Sequence, residues 1–165
     1  MEELKVDVLV IGTGPSGQKA AIQAAKLGKK VVVVDAGLDP GGNCLYNGTI
    51  PSKSLREGII DLTGFYDRNF YGVSPYKMEE VNIKDLNNRL SQVVKAERDL
   101  VYRQFKKNGI QLILGTARFE NPHMLLVLDR DYRLSYQIEA DNIIIATGSK
   151  PRNPSNIPFD KTVIL

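Results

Sequence analysis

Residues 6–35 read VDVLVIGTGPSGQKAAIQAAKLGKKVVVVD, and the order of patterns in this stretch decides the fold class. Residues 6–11 are apolar and mostly β-branched, interrupted only by Asp7, which is typical of a strand buried on both faces of a parallel sheet. After a glycine-rich turn, small residues recur at helical spacing, and a second apolar run follows at residues 31–34. We therefore predict a βαβ unit with a right-handed crossover, within an α/β, Rossmann-like fold.

The turn at residues 12–17 reads GTGPSG and matches the pattern G-x-G-x-x-G. Gly12 permits a tight turn, Gly14 lets the backbone approach a diphosphate, and Gly17 lets the helix pack closely on the strand. The amino end of that helix offers N–H groups to the phosphates. Asp35, which closes the second strand, can accept hydrogen bonds from the ribose hydroxyls of an adenosine and would repel a 2′-phosphate. The pattern predicts a dinucleotide site that suits NAD or FAD, the alternative being a structural glycine turn with a surface acid.

Beyond Asp35, helical and strand-like patterns alternate. Residues 36–50 are rich in glycine and predict a loop, Pro51 is predicted to open a second helix through residue 65, and Asn82 is suited to cap a long helix. The remaining segments are predicted as an irregular stretch at 66–81, a buried strand at 110–114, a small antiparallel meander over 117–139 and a buried parallel strand at 142–146.

Composition excludes several classes of protein. The 165 residues carry a net charge of +3 with scattered Lys and Arg, so nucleic-acid binding is not predicted. A single Cys and a single His leave no internal disulfide and little for a metal site. No apolar run is long enough to span a membrane, and the first residues do not read as a signal peptide. We expect a cytoplasmic protein without a bound metal.

Residues 41–53, GGNCLYNGTIPSK, carry the most specific motif of the chain. They resemble the flavoprotein disulfide reductases, whose pattern G-G-x-C-x-x-x-G-C-I-P-S-K places two redox cysteines beside a flavin. Here Cys44 stands at the first cysteine position and Thr49 at the second, so the chain cannot form that disulfide. The form G-T-I-P-S-K is similar to the pyridine nucleotide transhydrogenase branch of the family, as are residues 18–30 and 54–64.

The resemblance implies FAD as the cofactor and assigns residues to its parts. The glycines of the turn would hold the diphosphate, Asp35 the adenosine ribose, and the backbone of Ala117 would lie beside the adenine. Gly42 and residues 44–49 would line the flavin, and residues 146–148 would pass near it. The predicted cofactor-binding residues are Gly12, Gly14, Pro15, Ser16, Gly17, Asp35, Ala36, Gly42, Asn43, Cys44, Thr49, Lys53, Ala117, Ala146, Thr147 and Gly148.

Three residues receive a role in catalysis from the resemblance, and each also has a simpler explanation. Lys53 would stabilise negative charge on the flavin, or it is a solvated helix lysine. Thr49 would leave the flavin as the sole electron carrier, or it is a loop hydroxyl. Cys44 is either a redox thiol or, as isolated cysteines more often are, a small buried apolar side chain.

The resemblance also predicts the organisation of a longer protein. Residues 1–150 would be the N-terminal part of an FAD-binding domain, and residues 151–165 would begin a linker toward an NAD(P)-binding domain. The full-length protein is expected to be a homo-oligomeric enzyme that transfers hydride between NADPH and NAD⁺ through FAD, and the present chain alone to be inactive. The alternatives are a lipoamide dehydrogenase-like reductase, against which Thr49 argues, and a stand-alone dinucleotide-binding module without catalysis.

Overall fold

The computed structural model describes residues 2–63, 82–150 and 152–160. The irregular stretch predicted at 66–81, and the last two residues of the predicted second helix, lie outside the described residues. The elements, in chain order, are β1 (Glu2–Ile11), α1 (Pro15–Lys26), β2 (Val31–Asp35), α2 (Gly42–Tyr46), α3 (Thr49–Thr63), α4 (Ile83–Lys107), β3 (Gln111–Leu114), β4 (Thr116–Asn121), β5 (Met124–Leu128) and β6 (Leu134–Ile145).

The described strands form one six-stranded sheet in the order β3-β2-β1-β6-β5-β4. β1 pairs in parallel with β2, from Val8 opposite Val31 to Ile11 opposite Val34, and in parallel with β6 on its other side. β3 is parallel to β2, whereas β4, β5 and β6 pair antiparallel. The predicted α/β class, the parallel sheet and the antiparallel group are confirmed.

Each face of the parallel strands is covered by its own hydrophobic cluster, because alternate residues of a strand point to opposite sides. Val10 belongs to the cluster that includes Ala21 of α1 and Phe105 of α4. Its neighbour Leu9 belongs to the other cluster, together with Val127 of β5. β5 is not hydrogen-bonded to β1, so the antiparallel strands fold back over the face that the helices leave free. Coverage on both sides explains the continuous apolar run of β1.

The long helix α4 begins at a capping box. The side chain of Asn82 accepts a hydrogen bond from the Lys84 N–H at 2.9 Å, and the side chain of Asp85 accepts one from the Asn82 N–H. These bonds satisfy N–H groups that have no partner within the helix. The cap predicted at Asn82 is therefore confirmed. None of the helices in the described ranges is long and apolar enough to cross a lipid bilayer.

The prediction of a loop at residues 36–50 is wrong in the second half of that range. Residues 42–46 form the short helix α2, and α3 begins at Thr49, two residues before the proline that was expected to open it. Pro51 then occupies the first turn of α3, where a missing N–H removes no helical hydrogen bond. The helical signal of this segment is short and glycine-rich, which is why the sequence pattern favoured a loop.

The last meander strand and the strand predicted at 142–146 are a single strand, β6. Its first half pairs with β5, and most of its length pairs with β1, so it joins the antiparallel and parallel parts of the sheet. The prediction that its carboxyl end is buried is wrong, because Ile145 is 65% exposed and Ile144 is 36% exposed. Both residues line a cavity.

Candidate dinucleotide-binding site

The carboxyl ends of β1, β2 and β6 meet at one edge of the sheet, where a cavity of about 1020 Å³ opens. In open α/β sheets this edge is the usual place for a ligand, because the loops that follow parallel strands gather there. The cavity brings together twelve of the predicted binding residues: Gly12, Gly14, Pro15, Ser16, Asp35, Ala36, Gly42, Asn43, Cys44, Ala146, Thr147 and Gly148.

Two of the motif glycines are required by the packing of the turn. Gly12 has a φ of +106°, and a Cβ there would lie 2.3 Å from the carbonyl oxygen of Ala146. A Cβ on Gly17 would lie 2.0 Å from the carbonyl oxygen of Gly12. A side chain at position 12 would push the turn away from the end of β6, and one at position 17 would push α1 away from the turn. Gly14 differs, because a Cβ there would have no heavy atom within 4 Å and this residue lines the cavity.

The amino end of α1 lies at the cavity without a side-chain cap. Gly14 is the N-cap residue, and the first turn contains no acidic residue. Pro15 has no N–H, so the donors left without a helical partner are the N–H groups of Ser16 and Gly17. These donors and the positive end of the helix dipole suit an anion such as a diphosphate.

Asp35 stands at the end of β2, half-buried and lining the cavity. Its Oδ2 accepts the backbone N–H of Thr13 at 2.6 Å and the Thr13 hydroxyl at 2.5 Å. Its Oδ1 accepts the N–H of Gly37 at 2.7 Å. The carboxylate is thus held against the glycine turn, in the place where dinucleotide-binding domains present an acid to the ribose.

Thr13 is a residue of the site that sequence reasoning missed. It is fully buried, and its hydroxyl accepts the N–H of Gly41 at 3.0 Å while donating to Asp35. Its carbonyl oxygen accepts the side-chain amide of Gln18 at 2.7 Å. The sequence shows a hydroxyl side chain at a variable position of the motif, but the motif does not indicate whether that side chain points toward Asp35.

The short helix α2 forms one wall of the cavity. Gly42 has a φ of +63°, and a Cβ there would lie 2.8 Å from the Cα of Gly14, so the start of α2 rests on the glycine turn. The side-chain amide of Asn43 donates to the carbonyl oxygen of Ser149 at 2.8 Å, which ties α2 to the segment after β6. Cys44 is half-buried, free and among the lining residues.

Four predicted residues do not line this cavity. Gly17 is buried behind the turn, and Thr49 and Lys53 are exposed in the first part of α3. The side chain of Ala117, in β4, packs against a core cluster. The two residues that precede it, Gly115 and Thr116, instead line a smaller cavity of about 170 Å³, together with Ala36, Gly37, Leu114, Asp129, Arg130 and Tyr132.

Together the parallel sheet, the glycine turn, the uncapped helix end and the strand-end acid are the features of a Rossmann-like α/β domain. A family profile described as pyridine nucleotide-disulphide oxidoreductase matches residues 6–164. The chain belongs to the pyridine nucleotide-disulphide oxidoreductase family.

Curated relatives of this chain carry a common name. The soluble pyridine nucleotide transhydrogenase of Mycobacterium bovis (strain BCG / Pasteur 1173P2) is 45% identical over 159 residues, which are 96% of this chain and 34% of the relative. Proteins of the same name from Chromohalobacter salexigens and Colwellia psychrerythraea are 36% and 33% identical, each over 93% of this chain and 33% of the relative. The chain thus spans about a third of the length of these relatives.

Family membership implies a flavin and nicotinamide nucleotides, and the donor set of the cavity fits the nucleotide part of such a cofactor. The cavity is slightly larger than the usual range for ligand pockets, roughly 300–1,000 Å³. It offers free N–H groups for phosphate, a carboxylate for ribose and an apolar wall with Ile144 and Ile145. Among the described residues, no three His, Cys, Asp or Glu side chains are grouped to hold a metal ion.

Proposed function

We propose that this chain is the FAD-binding part of a flavoprotein that transfers hydride between NADPH and NAD⁺ through FAD. The proposal is supported by family membership, by the name shared by the curated relatives, and by a cavity at the carboxyl edge of the sheet. We further propose that the protein acts in the cytoplasm, with the two nicotinamide nucleotides as its substrates.

One observation carries the choice of reaction. Cys44 lines the cavity, and it is the single cysteine of the 165 residues. Thr49, which starts α3, stands where the disulfide reductases have their second cysteine. A dithiol relay between a flavin and a disulfide substrate needs both sulfurs. Without that relay, electrons that reach the cofactor leave it through a second nicotinamide.

FAD, rather than NAD, is the dinucleotide we assign to the cavity. Walls from α2 and from residues 146–148 extend the site beyond the glycine turn and Asp35. The resemblance of residues 41–53 to the flavin segment of the family supports the same choice. When bound, a flavin accepts a hydride from one nicotinamide and donates a hydride to the other.

The residues of this chain bind and orient the cofactor. The N–H groups at the start of α1 neutralise diphosphate charge, and Asp35 fixes the adenosine end by accepting a ribose hydroxyl. Lys53 is exposed in α3 and does not line the cavity, and the resemblance of residues 41–53 to the flavin segment supports a role for it in stabilising negative charge on the flavin. The proposed second domain and a homo-oligomeric assembly would complete the nicotinamide site.

The test is an exchange assay with the full-length protein that contains this chain. Purified protein reconstituted with FAD should reduce thio-NAD⁺ with NADPH, and it should not reduce NAD⁺ with dihydrolipoamide. Loss of exchange after removal of FAD would tie the activity to the flavin. Dihydrolipoamide activity without exchange would contradict the proposal and favour a lipoamide dehydrogenase-like enzyme, and FAD binding with neither activity would favour a non-catalytic module.

A variant pair tests the role of Lys53 in the same assay. Lys53→Met removes the proposed cation and should slow the exchange by about a hundredfold, the low end of what loss of one electrostatic contact costs. Lys95→Met removes an exposed lysine of α4, outside residues 41–53 that resemble the flavin segment, and should leave the rate unchanged. Equal rates for the two variants would remove Lys53 from the mechanism.

A further inference from the structure

The carboxylate of Asp35 has most of its acceptor capacity filled by the protein itself. An ionised carboxylate offers about four lone-pair positions. Three are occupied by donors in the described part of the chain: the Thr13 N–H, the Thr13 hydroxyl and the Gly37 N–H. Oδ2 carries two of these bonds and Oδ1 carries one. One acceptor position, on Oδ1, is left for a ligand in the cavity that Asp35 lines.

The hydroxyl of Thr13 determines how many acceptor positions of the Asp35 carboxylate remain for a ligand. It is fully buried, and it has two protein partners, Asp35 as acceptor and the Gly41 N–H as donor. Because the N–H of Gly41 already donates to this oxygen, the hydroxyl hydrogen is directed to Asp35. The carboxylate is therefore held from one side by the glycine turn and from the other by the loop after β2.

We propose that Thr13 is a positioning residue for the adenosine ribose, and that the carboxylate it holds accepts a hydrogen bond from one ribose hydroxyl and not from both. This inference rests on the proposed binding of FAD in the cavity. Without the Thr13 hydroxyl, Oδ2 would keep only the Thr13 N–H and would present a second free lone pair to the ligand, so the side chain at position 13 sets how the ribose is recognised.

The same hydroxyl links the ribose position to α2. Gly41 directly precedes α2 and is buried, and its N–H donates a hydrogen bond to the Thr13 hydroxyl. A Thr13→Val variant keeps the shape of the side chain but leaves that N–H without its acceptor and Asp35 without one donor. A Thr13→Ser variant keeps the hydroxyl and serves as the matched control.

The experiment measures cofactor affinity on the full-length protein after removal of its flavin. Unmodified protein, Thr13→Val and Thr13→Ser are titrated with FAD and with FAD analogues that lack the 2′- or the 3′-hydroxyl of the adenosine ribose, and the change in flavin fluorescence gives Kd. In the unmodified protein, one analogue should bind about tenfold more weakly than FAD, and the other should bind like FAD. Thr13→Val should weaken FAD binding by about tenfold and reduce the difference between the analogues, whereas Thr13→Ser should preserve both.

The outcomes separate this inference from the proposed function. Equal losses for the two analogues in the unmodified protein would show that Asp35 takes both hydroxyls and would overturn the inference, as would Thr13→Val with unchanged FAD affinity and unchanged discrimination. Neither result would change the exchange activity, which is the test of the proposed function. If Thr13→Val does not fold, the analogue series in the unmodified protein and in Thr13→Ser decides the question. Absence of FAD binding by the unmodified protein would overturn both proposals.

Discussion

Two glycines three positions apart in one turn have different tasks. Gly17 packs helix against strand, since a Cβ there would lie 2.0 Å from the carbonyl oxygen of Gly12. Gly14 has an ordinary φ of −63° and open space around its missing side chain, so nothing in the fold requires it to be glycine. Its place among the cavity-lining residues indicates that glycine is needed there for ligand access.

Gly14→Ala should therefore separate binding from folding. The added methyl group meets no protein atom within 4 Å, but it occupies space that the diphosphate needs in order to reach the start of α1. The variant should keep the thermal unfolding midpoint of the unliganded protein while the Kd for FAD rises by about tenfold or more. Thermal unfolding and a fluorescence titration measure the two effects.

Gly17→Ala is the matched control on the same turn. Its methyl group would collide with backbone rather than with a flexible side chain, so the free energy of unfolding should fall by about 3 kcal/mol, the upper end of ordinary overpacking costs. Chemical denaturation of the unliganded protein measures this loss. A stable Gly17→Ala, or a destabilised Gly14→Ala, would show that the described turn is incorrect.

The loop between β2 and α2 is braced by the long helix α4. The side chain of Asp39 accepts hydrogen bonds from Tyr102 at 3.1 Å and from Arg98 at 3.4 Å, one helical turn apart. Tyr46 of α2 donates to the carbonyl oxygen of Pro40 at 3.2 Å. Asp39 and Tyr46 line the cavity, so α4 supports the site from outside it.

The contact between Tyr102 and Asp39 predicts that the stability of the protein depends on pH in the alkaline range. Burial, and then the hydrogen bond to Asp39, raise the pKa of Tyr102 above its ordinary value of 10.0. The folded protein therefore holds the phenol proton more tightly than the unfolded chain does. The contribution of Tyr102 to stability is fully present below about pH 10 and is lost as pH rises through the raised pKa.

Tyr102→Phe removes the titrating group and tests the hydrogen bond between Tyr102 and Asp39. The difference in free energy of unfolding between the unmodified protein and this variant should be constant in the neutral range and should shrink above about pH 10. Chemical denaturation across that range measures it. A difference that stays constant through alkaline pH would mean that Tyr102 does not bond to Asp39 in solution.

At the scale of the whole molecule, the sequence predicts the parallel part of the fold better than the rest. The first two strands, the glycine turn, α1 and the cap at Asn82 depend on local patterns, such as continuous apolar runs and a capping residue. The continuity of β6 could not be predicted in this way, because it depends on pairing with β1, which is distant in the chain, as well as with its neighbour β5. Its exposed end at Ile144 and Ile145 was also missed, since a pattern of apolar residues cannot show what covers them.

The residues of the candidate site also differ in how well the sequence predicts them. Gly12, Gly14 and Asp35 belong to a motif with a fixed spacing, and the structure brings them to one cavity. Thr13 occupies a position that the motif leaves variable, and its importance comes from contacts with Asp35 and Gly41, the latter 28 residues away. Such a role emerges only once the loops are folded against each other.

The most direct test of cofactor binding at the glycine turn is a crystal structure of the full-length protein with its cofactor bound. We predict the diphosphate of FAD at the start of α1, with phosphate oxygens within about 3.2 Å of the backbone nitrogens of Ser16 or Gly17. The adenosine ribose should lie on the free side of the Asp35 carboxylate. A diphosphate bound elsewhere in the protein, or a ribose out of reach of Asp35, would show that the proposed cofactor site is wrong.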